Sequence, residues 1–327
     1  MSRVFFLFFL FQLFIIQAKA VTVDTLLMGS AFSFTAIHNN KNIEVIAINK
    51  AIEEVVRIEA LISSWKTSSQ TSLINNNAGV KPVRASKEII SLIRRSIKIS
   101  KLSDGYFDIT FASLKSVWDF KNVNHIIPDS IEVLNSVKLI NYRDIELSDS
   151  TVFLKHKGMK LDFGAIGKGY SANKAKLIME QNQIQNGIVN AGGDLISWGK
   201  NKAGKDWRIG IADPGNKNNI VSWLNISDMA VVTSGNYEKF IIIDGVKYCH
   251  IINPKTGYPS TGIQSVTIIC KDAEIADALA TTVFILGKHE GLKLINQLKG
   301  IEGFIIDQNN ETHYSKKIDL NLTSKYD

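Results

Sequence analysis

The chain has few cysteines, few prolines and no long run of charge of one sign. Two cysteines, Cys249 and Cys270, stand among 327 residues. Two thiols without histidines at suitable spacing cannot build a four-ligand zinc site, nor do they have the spacing of an iron–sulfur cluster. Both lie in apolar, strand-like stretches, so two readings stay open: buried free thiols, or a disulfide formed outside the cytoplasm. The five prolines do not gather with serine into a linker, and no internal repeat is visible. Charged residues make up 21% and hydrophobic ones 45%. That excludes extended disorder away from the ends and supplies a sizeable core. The net charge is +7, but the lysines are scattered and form no basic stripe with interleaved aromatics. Nucleic acid is therefore not an expected partner.

The first twenty residues, "MSRVFFLFFLFQLFIIQAKA", carry Arg3, an apolar run from Val4 to Ile16, then Ala18-Lys19-Ala20. This is the charged, apolar and small-residue sequence of a secretory signal peptide. The run is shorter than the roughly 20 residues that a spanning helix needs. Cleavage after Ala20 is expected, against the alternative of an uncleaved anchor. No cysteine follows to take a lipid. Residues 21–327 then read as one domain, exported to the periplasm, at the inner membrane.

Residues 26–36 read as a strand and 42–63 as an amphipathic helix, with Ile43, Ile46, Val55, Ile58 and Ile62 at mostly helical spacing. "TSSQTSLINNNAG" reads as a polar loop. Ser86 is placed to cap a helix running to about Ser103, with Ile89, Ile93 and Ile97 as its stripe. "IELSDSTVFL" reads as a hairpin, and "YEKFIIIDGVKYCHII" is the clearest one, with Asp244-Gly245 at a tight primed turn. "EIADALATTVFILG" reads as an apolar helix stopped at Gly287. Helices and strands alternate irregularly, with several hairpins. The expected class is α+β: a mixed, antiparallel-rich β-sheet with helices on its faces.

Residues 161–175, "LDFGAIGKGYSANKA", raise the chemical question. The phosphate loop G-x-x-x-x-G-K-[ST] fails here at both ends, and G-x-G-x-x-G is absent. Glycines before a helix start, with Lys168, still suit an anion. Glycines packing a turn against a helix explain the same residues. "NAGGD" (190–194) is a second glycine turn ending in a carboxylate, and "HIINPKTGYP" puts His250 at a strand end. Asp277 and Thr281 lie at i and i+4, on one helix face. In the apolar "IADALATTVFIL" a buried Asp needs a partner, and a hard cation such as Mg²⁺ would supply one.

In order, "MGSAF", "DGYFDIT", "GMKLDFGAIGKGYSANKA", "VNAGGDLISWG", "WRIGIADP", "TSGNYEKF", "YCHIINPKTGYP", "SVTIIC" and "ADALATTVFILG" resemble the ApbE family, the FAD:protein FMN transferases. The resemblance runs from about residue 28 to 287 and implies a mixed α+β fold. It implies an exported, Mg²⁺-dependent enzyme that takes FAD as substrate, cleaves its pyrophosphate, joins FMN to a Thr or Ser hydroxyl of an acceptor protein and releases AMP. The implied acceptor is a membrane-bound redox subunit. Carried over by motif, the resemblance implies flavin or FAD contacts at Met28, Trp65, Tyr106, Phe107, Asp108, Asp162 and Lys168. It implies packing of Ile251 or Ile252 on the cofactor, and metal binding by the Ala165 carbonyl, Asp277 and Thr281. His250 is the candidate base, by its ordinary pKa, or else a satisfied histidine at a strand end. The chain departs from the family pattern at Asn173 and Asn253, where Asp is frequent, at Ser30, where Thr is usual, and in "FASLKSVWDF", which lacks a usual proline. An FAD pyrophosphatase with water as acceptor, or a flavin-binding protein without catalysis, are the competing readings.

The mature polypeptide is expected to begin at Val21. Mass spectrometry of the exported protein's N-terminus checks this, and an intact Met1 start would favour the uncleaved anchor.

Overall fold

The computed structural model describes residues 20–118, 120, 127–215 and 219–318. The expected signal peptide lies outside the described residues, apart from Ala20. Among the described residues no helix is long and apolar enough to cross a membrane.

The chain opens with β1 (Val21–Leu27) and β2 (Ser30–Ile37), then α1 (Lys41–Ile62), α2 (Gln70–Asn76), β3 (Val83–Arg84) and α3 (Lys87–Leu102). A 3₁₀ turn at Ala112–Ser116 precedes α4 (Ser130–Val137), β4 (Ile145–Leu147), β5 (Thr151–Leu154) and α5 (Gly167–Gln181). Then come β6 (Asn186–Ala191), β7 (Asp194–Trp198), β8 (Trp207–Ala212), β9 (Ile220–Ile226) and β10 (Ala230–Gly235). The last elements are β11 (Phe240–Ile243), β12 (Val246–Cys249), β13 (Ile263–Cys270), α6 (Ala273–Gln297), β14 (Glu302–Asp307) and β15 (Thr312–Tyr314).

Eight strands form one antiparallel sheet in the order β1-β2-β6-β7-β10-β13-β14-β15. Alternation sorts its residues between two faces. Val232, Val266, Ile268 and Ile305 face α1, α5 and α6 in the main core. Val231, Ile269, Phe304 and Ile306 face the β8–β9 ribbon through Ile211, Leu224 and Ile226. A second core lies beyond the helices. Ile58 and Ile62 of α1 and Tyr170 of α5 meet Ile89 and Ile93 of α3, together with the small sheet β3-β5-β4. The β11–β12 hairpin forms a sheet of its own and packs Ile241 and Ile243 on Leu114, Trp118 and Val133. This is the α+β class expected from the sequence.

Capping follows the residue chemistry. Ser86 accepts the Ile89 N–H at the start of α3, as its position before an apolar stripe predicts. Asn173, one of the departures from the family pattern, ties α5 to α6 with both ends of its amide. It donates to Asp272 Oδ1 at 2.8 Å and accepts the Ala273 N–H at 3.0 Å. An aspartate there would set like charge against Asp272.

Three local expectations are corrected. Residues 26–36 are not one strand but a hairpin. Met28 and Gly29 turn it with φ of 52° and 71°, the positive pair that a type I′ turn requires. The stretch read as a polar loop contains α2, capped by Ser69. The apolar helix does not stop at Gly287. It breaks there, at φ 77°, and resumes to Gln297. Cys249 and Cys270 are free and buried, in different sheets.

The first turn of α5 is wedged between two helices, and its glycines are there for space. A Cβ on Gly167 would come within 2.9 Å of Ile62 Cδ1. One on Gly169 would overlap the Ala273 carbonyl oxygen and come within 2.8 Å of Asp277 Cβ. Gly169→Ala should therefore force α5 from α6 and cost about 1–3 kcal/mol. Denaturant unfolding measures it, and an unchanged midpoint would show that the contact yields freely.

Candidate active site

The start of α5, the first turns of α6, the β6–β7 turn and the end of β10 bring a charged cluster together. Lys168 Nζ lies 3.1 Å from Asp194 Oδ2 and 3.5 Å from the Gly192 carbonyl. Asp277 Oδ2 accepts the Gly169 N–H at 3.0 Å. That carboxylate therefore caps α5 from a neighbouring helix, since Ile166 at the cap position has no side chain to do it. Asp194 and Asp277 are 1% and 3% exposed. Their carboxyl groups are neighbours and perturb one another. Asp194 Oδ2 is close enough to Lys168 for an ion pair, yet among the described residues no donor meets it at hydrogen-bond geometry.

One ammonium thus faces two buried carboxylates. Burial, and then the Asp194 charge, push Asp277 well above the ordinary carboxylate range. Burial also raises Asp194, against the pull of Lys168. Burial works to lower Lys168, but Asp194 and Asp277 outweigh it and the ammonium is held more tightly than usual. Removing two carboxylates from water beside a single cation leaves net negative charge in a low-dielectric place. A proton or a metal cation relieves it.

Hydroxyl oxygens complete a hard donor set. Thr281 Oγ1 lies 3.4 Å from Ser234 Oγ, across from the end of β10. Ala165 is partly exposed in the turn entering α5. Asp277, Thr281, Asp194 and the Ala165 carbonyl are all oxygen donors, the type that a small divalent cation takes. The orphaned Asp194 oxygen fits that reading.

His250 follows β12 at the rim. Its Nδ1 and its backbone N–H both face the Lys239 carbonyl, at 3.0 Å each. Nδ1 must therefore carry the hydrogen, leaving the lone pair on Nε2. Burial first, then the Lys239 and Lys168 charges, lower its pKa to about 4, so the ring is neutral near pH 7.

The other expected contacts separate into two groups. Met28 lies between the two large cores. Its N–H donates to Glu59 Oε2 at 3.2 Å, and its sulfur accepts from Ser171 Oγ at 3.2 Å. Trp65 is 59% exposed, free to stack on a planar ligand. Tyr106 is half-buried, with Lys255 Nζ 5.7 Å from its ring centroid. Phe107, Ile251 and Ile252, by contrast, are buried core residues. Asp108 spends its oxygens within the protein, on the Thr110 N–H and hydroxyl and on the Tyr142 N–H. Asp162 is also enclosed. Ser64 Oγ, Lys115 Nζ at 2.6 Å and the Gly164 N–H at 2.7 Å all donate to it.

Sequence reasoning noticed "NAGGD" but did not place Asp194 in the site. It quoted "TSGNYEKF" without giving Ser234 a role, and gave none to Ser64 or Lys115. Asp194 had a signal, a carboxylate closing a glycine turn. The other three are ordinary residues in their own segments and meet the site only through the fold.

With this geometry in place, the class of protein is defined by comparison. The sequence profile of the ApbE family matches residues 28–305, and the chain belongs to that family. Among its relatives is a protein named FAD:protein FMN transferase from Klebsiella pneumoniae (strain 342), 29% identical over 90% of this chain and 91% of the other. Another of that name, from Treponema pallidum (strain Nichols), is 30% identical over 79% of this chain and 77% of the other. The solved ApbE protein of Thermotoga maritima superposes with a TM-score of 0.86 at 29% identity, covering 91% of this chain and 97% of the other. The apo flavinyl transferase ApbE of Pseudomonas stutzeri shares the fold, with a TM-score of 0.84 at 22% identity over 94% and 98% of the two chains.

The carboxyl pair has a pH signature. Asp277 ordinarily titrates near 3.8, and in the fold it holds its proton to higher pH. The folded chain thus binds protons that the unfolded chain has lost, so stability from this pair is present at low pH and falls as pH rises through the raised value. Asp194→Asn should flatten that decline in the metal-free protein. Melting temperatures across about pH 4–8 test it, and an unchanged slope would show that the pair does not titrate together.

Proposed function

We propose that this chain is an exported FAD:protein FMN transferase, acting in the periplasm. The carrying observation is the buried cluster at the start of α5, two carboxylates against one ammonium with hydroxyl oxygens beside them. Such a cluster is suited to holding a cation against a pyrophosphate. The names of its relatives support the same reaction.

In this reading the threonine or serine hydroxyl of an acceptor protein attacks the FMN-side phosphorus of FAD. A new phosphoester bond forms, the bond to the AMP phosphate oxygen breaks, and AMP leaves. Asp277, Thr281 and the Ala165 carbonyl would hold Mg²⁺, with Asp194 neighbouring Asp277. When bound, Mg²⁺ supplies charge stabilisation for the pyrophosphate oxygens. Lys168 places a full positive charge beside the same oxygens, where it offsets the charge that builds up during attack. Asp194 holds that ammonium in place. His250 Nε2 takes the proton from the attacking hydroxyl. Its lowered pKa of about 4 keeps it unprotonated and ready, and a bound dianion opposes the Lys168 field and raises its basicity. Met28 and Trp65 would meet the flavin. The acceptor is taken to be a membrane-bound redox protein.

The test is to incubate mature protein with FAD and an acceptor domain, with and without Mg²⁺, and look for a flavin-fluorescent band on a denaturing gel. A Mg²⁺-dependent band is expected. Asp277→Ala should abolish it while the protein stays folded. His250→Ala should slow transfer by about a hundredfold to ten-thousandfold with FAD binding retained. AMP released with FMN left free would favour hydrolysis. FAD binding with neither product would leave a binding protein. Full activity of Asp277→Ala would remove the metal assignment.

A further inference from the structure

We infer that Lys115 is a substrate-binding residue and that Asp162 acts through it. This rests on the flavin-transferase reading and deepens it. The resemblance points to Asp162 as a direct FAD contact, but Asp162 is 2% exposed and already has three donors. Ser64 Oγ and Lys115 Nζ share one oxygen, and the Gly164 N–H takes the other. A ligand reaching this point meets what lies above the carboxylate. That is Lys115, whose side chain is 45% exposed.

The position of Lys115 is set from two sides. It stands on the 3₁₀ turn Ala112–Ser116, and the Leu114 side chain of that turn is fully buried. Its ammonium lies 2.6 Å from Asp162 and 5.4 Å from the centre of the Phe111 ring. Asp162 in turn belongs to the segment that leads into α5. Its N–H is fixed to the Ile109 carbonyl at 2.8 Å. The pair therefore joins the 3₁₀ turn to the segment that carries Ala165 and leads to Lys168 in the first turn of α5. Exposed Trp65 adjoins Ser64, the other donor to Asp162. The result is a held cation on Asp162, with an exposed aromatic residue next in sequence to the other donor on the same oxygen. An elongated, anionic molecule with planar rings matches that arrangement. A dinucleotide such as FAD has both its charge and its rings in one chain. Lys115 offers it a second positive point, and Asp162 is the positioning residue that stops the ammonium from swinging into solvent.

The experiment measures FAD binding by quenching of flavin fluorescence, at low and high salt, for the full-length mature protein and for Lys115→Met, Lys115→Arg and Asp162→Asn. Melting temperature is recorded alongside. Lys115→Met should weaken FAD about tenfold at low salt, the usual scale for one charge-assisted contact, with less loss at high salt and an unchanged melting temperature. Lys115→Arg should keep most of the affinity. Asp162→Asn should reproduce the salt-dependent loss. Unchanged FAD affinity in Lys115→Met overturns the inference. So does a loss equal at both salt concentrations and accompanied by a fall in melting temperature, which would make Lys115 a structural brace. If the unaltered protein does not bind FAD, the flavin reading itself fails, and this inference with it.

Discussion

The site depends on the burial of Asp277 beside Asp194 with, among the described residues, Lys168 to offset them. Two carboxylates removed from water are costly, and a single ammonium 3.1 Å from one of them does not neutralise both. The fold tolerates this because each charged group has been given a defined task. Asp277 caps α5 through the Gly169 N–H, and Lys168 is held by Asp194. What is left over is an appetite for one more positive charge. That residual charge is what the proposed cation would answer, in a place that would otherwise be an expensive piece of core.

The same point is where the fold is tightest. Gly169 lets α5 approach α6 until backbone touches backbone, and Asn173 ties the two helices one turn further along. Gly167 likewise leaves room for the Ile62 side chain of α1. The three helices lie on one face of the large sheet, whose β7 and β10 supply Asp194 and Ser234. The candidate site is therefore carried by closely packed helices and strands. The glycines of residues 164–169 pack rather than cradle. The Gly169 N–H already has a partner within the protein, so the positive charge of Lys168, rather than a bare phosphate loop, is the feature that suits an anion.

Much of the fold was legible where local pattern and tertiary environment agree. The helix capped by Ser86 and the Asp244-Gly245 hairpin follow their residue chemistry, with φ of 51° and 78° at the turn. Legibility failed where one signal can be answered in two ways. Met28 takes a left-handed conformation that a methionine rarely adopts, so the turn there was hidden inside an apolar run. Gly287 looks like a helix stop, yet the apolar residues beyond it, Leu294 and Ile295, pull a second helical segment back onto the core. In α2 only a serine cap stood against a polar composition.

The sequence by itself determined the class of fold, the family and the residue types of the site. Periodicity and turn chemistry are local, and ordered motifs survive in one dimension. Asp277 and Thr281 were readable as a pair because a helix fixes the geometry of residues four apart. Only the tertiary structure decided which carboxylate faces Asp277, that His250 offers Nε2, and that Asp162 lies beneath Lys115. Those facts depend on contacts between separate segments, such as Lys115 and Asp162, 47 residues apart, and no local rule encodes them. Burial, which sets the protonation of every group in the cluster, exists only once the chain has closed around it.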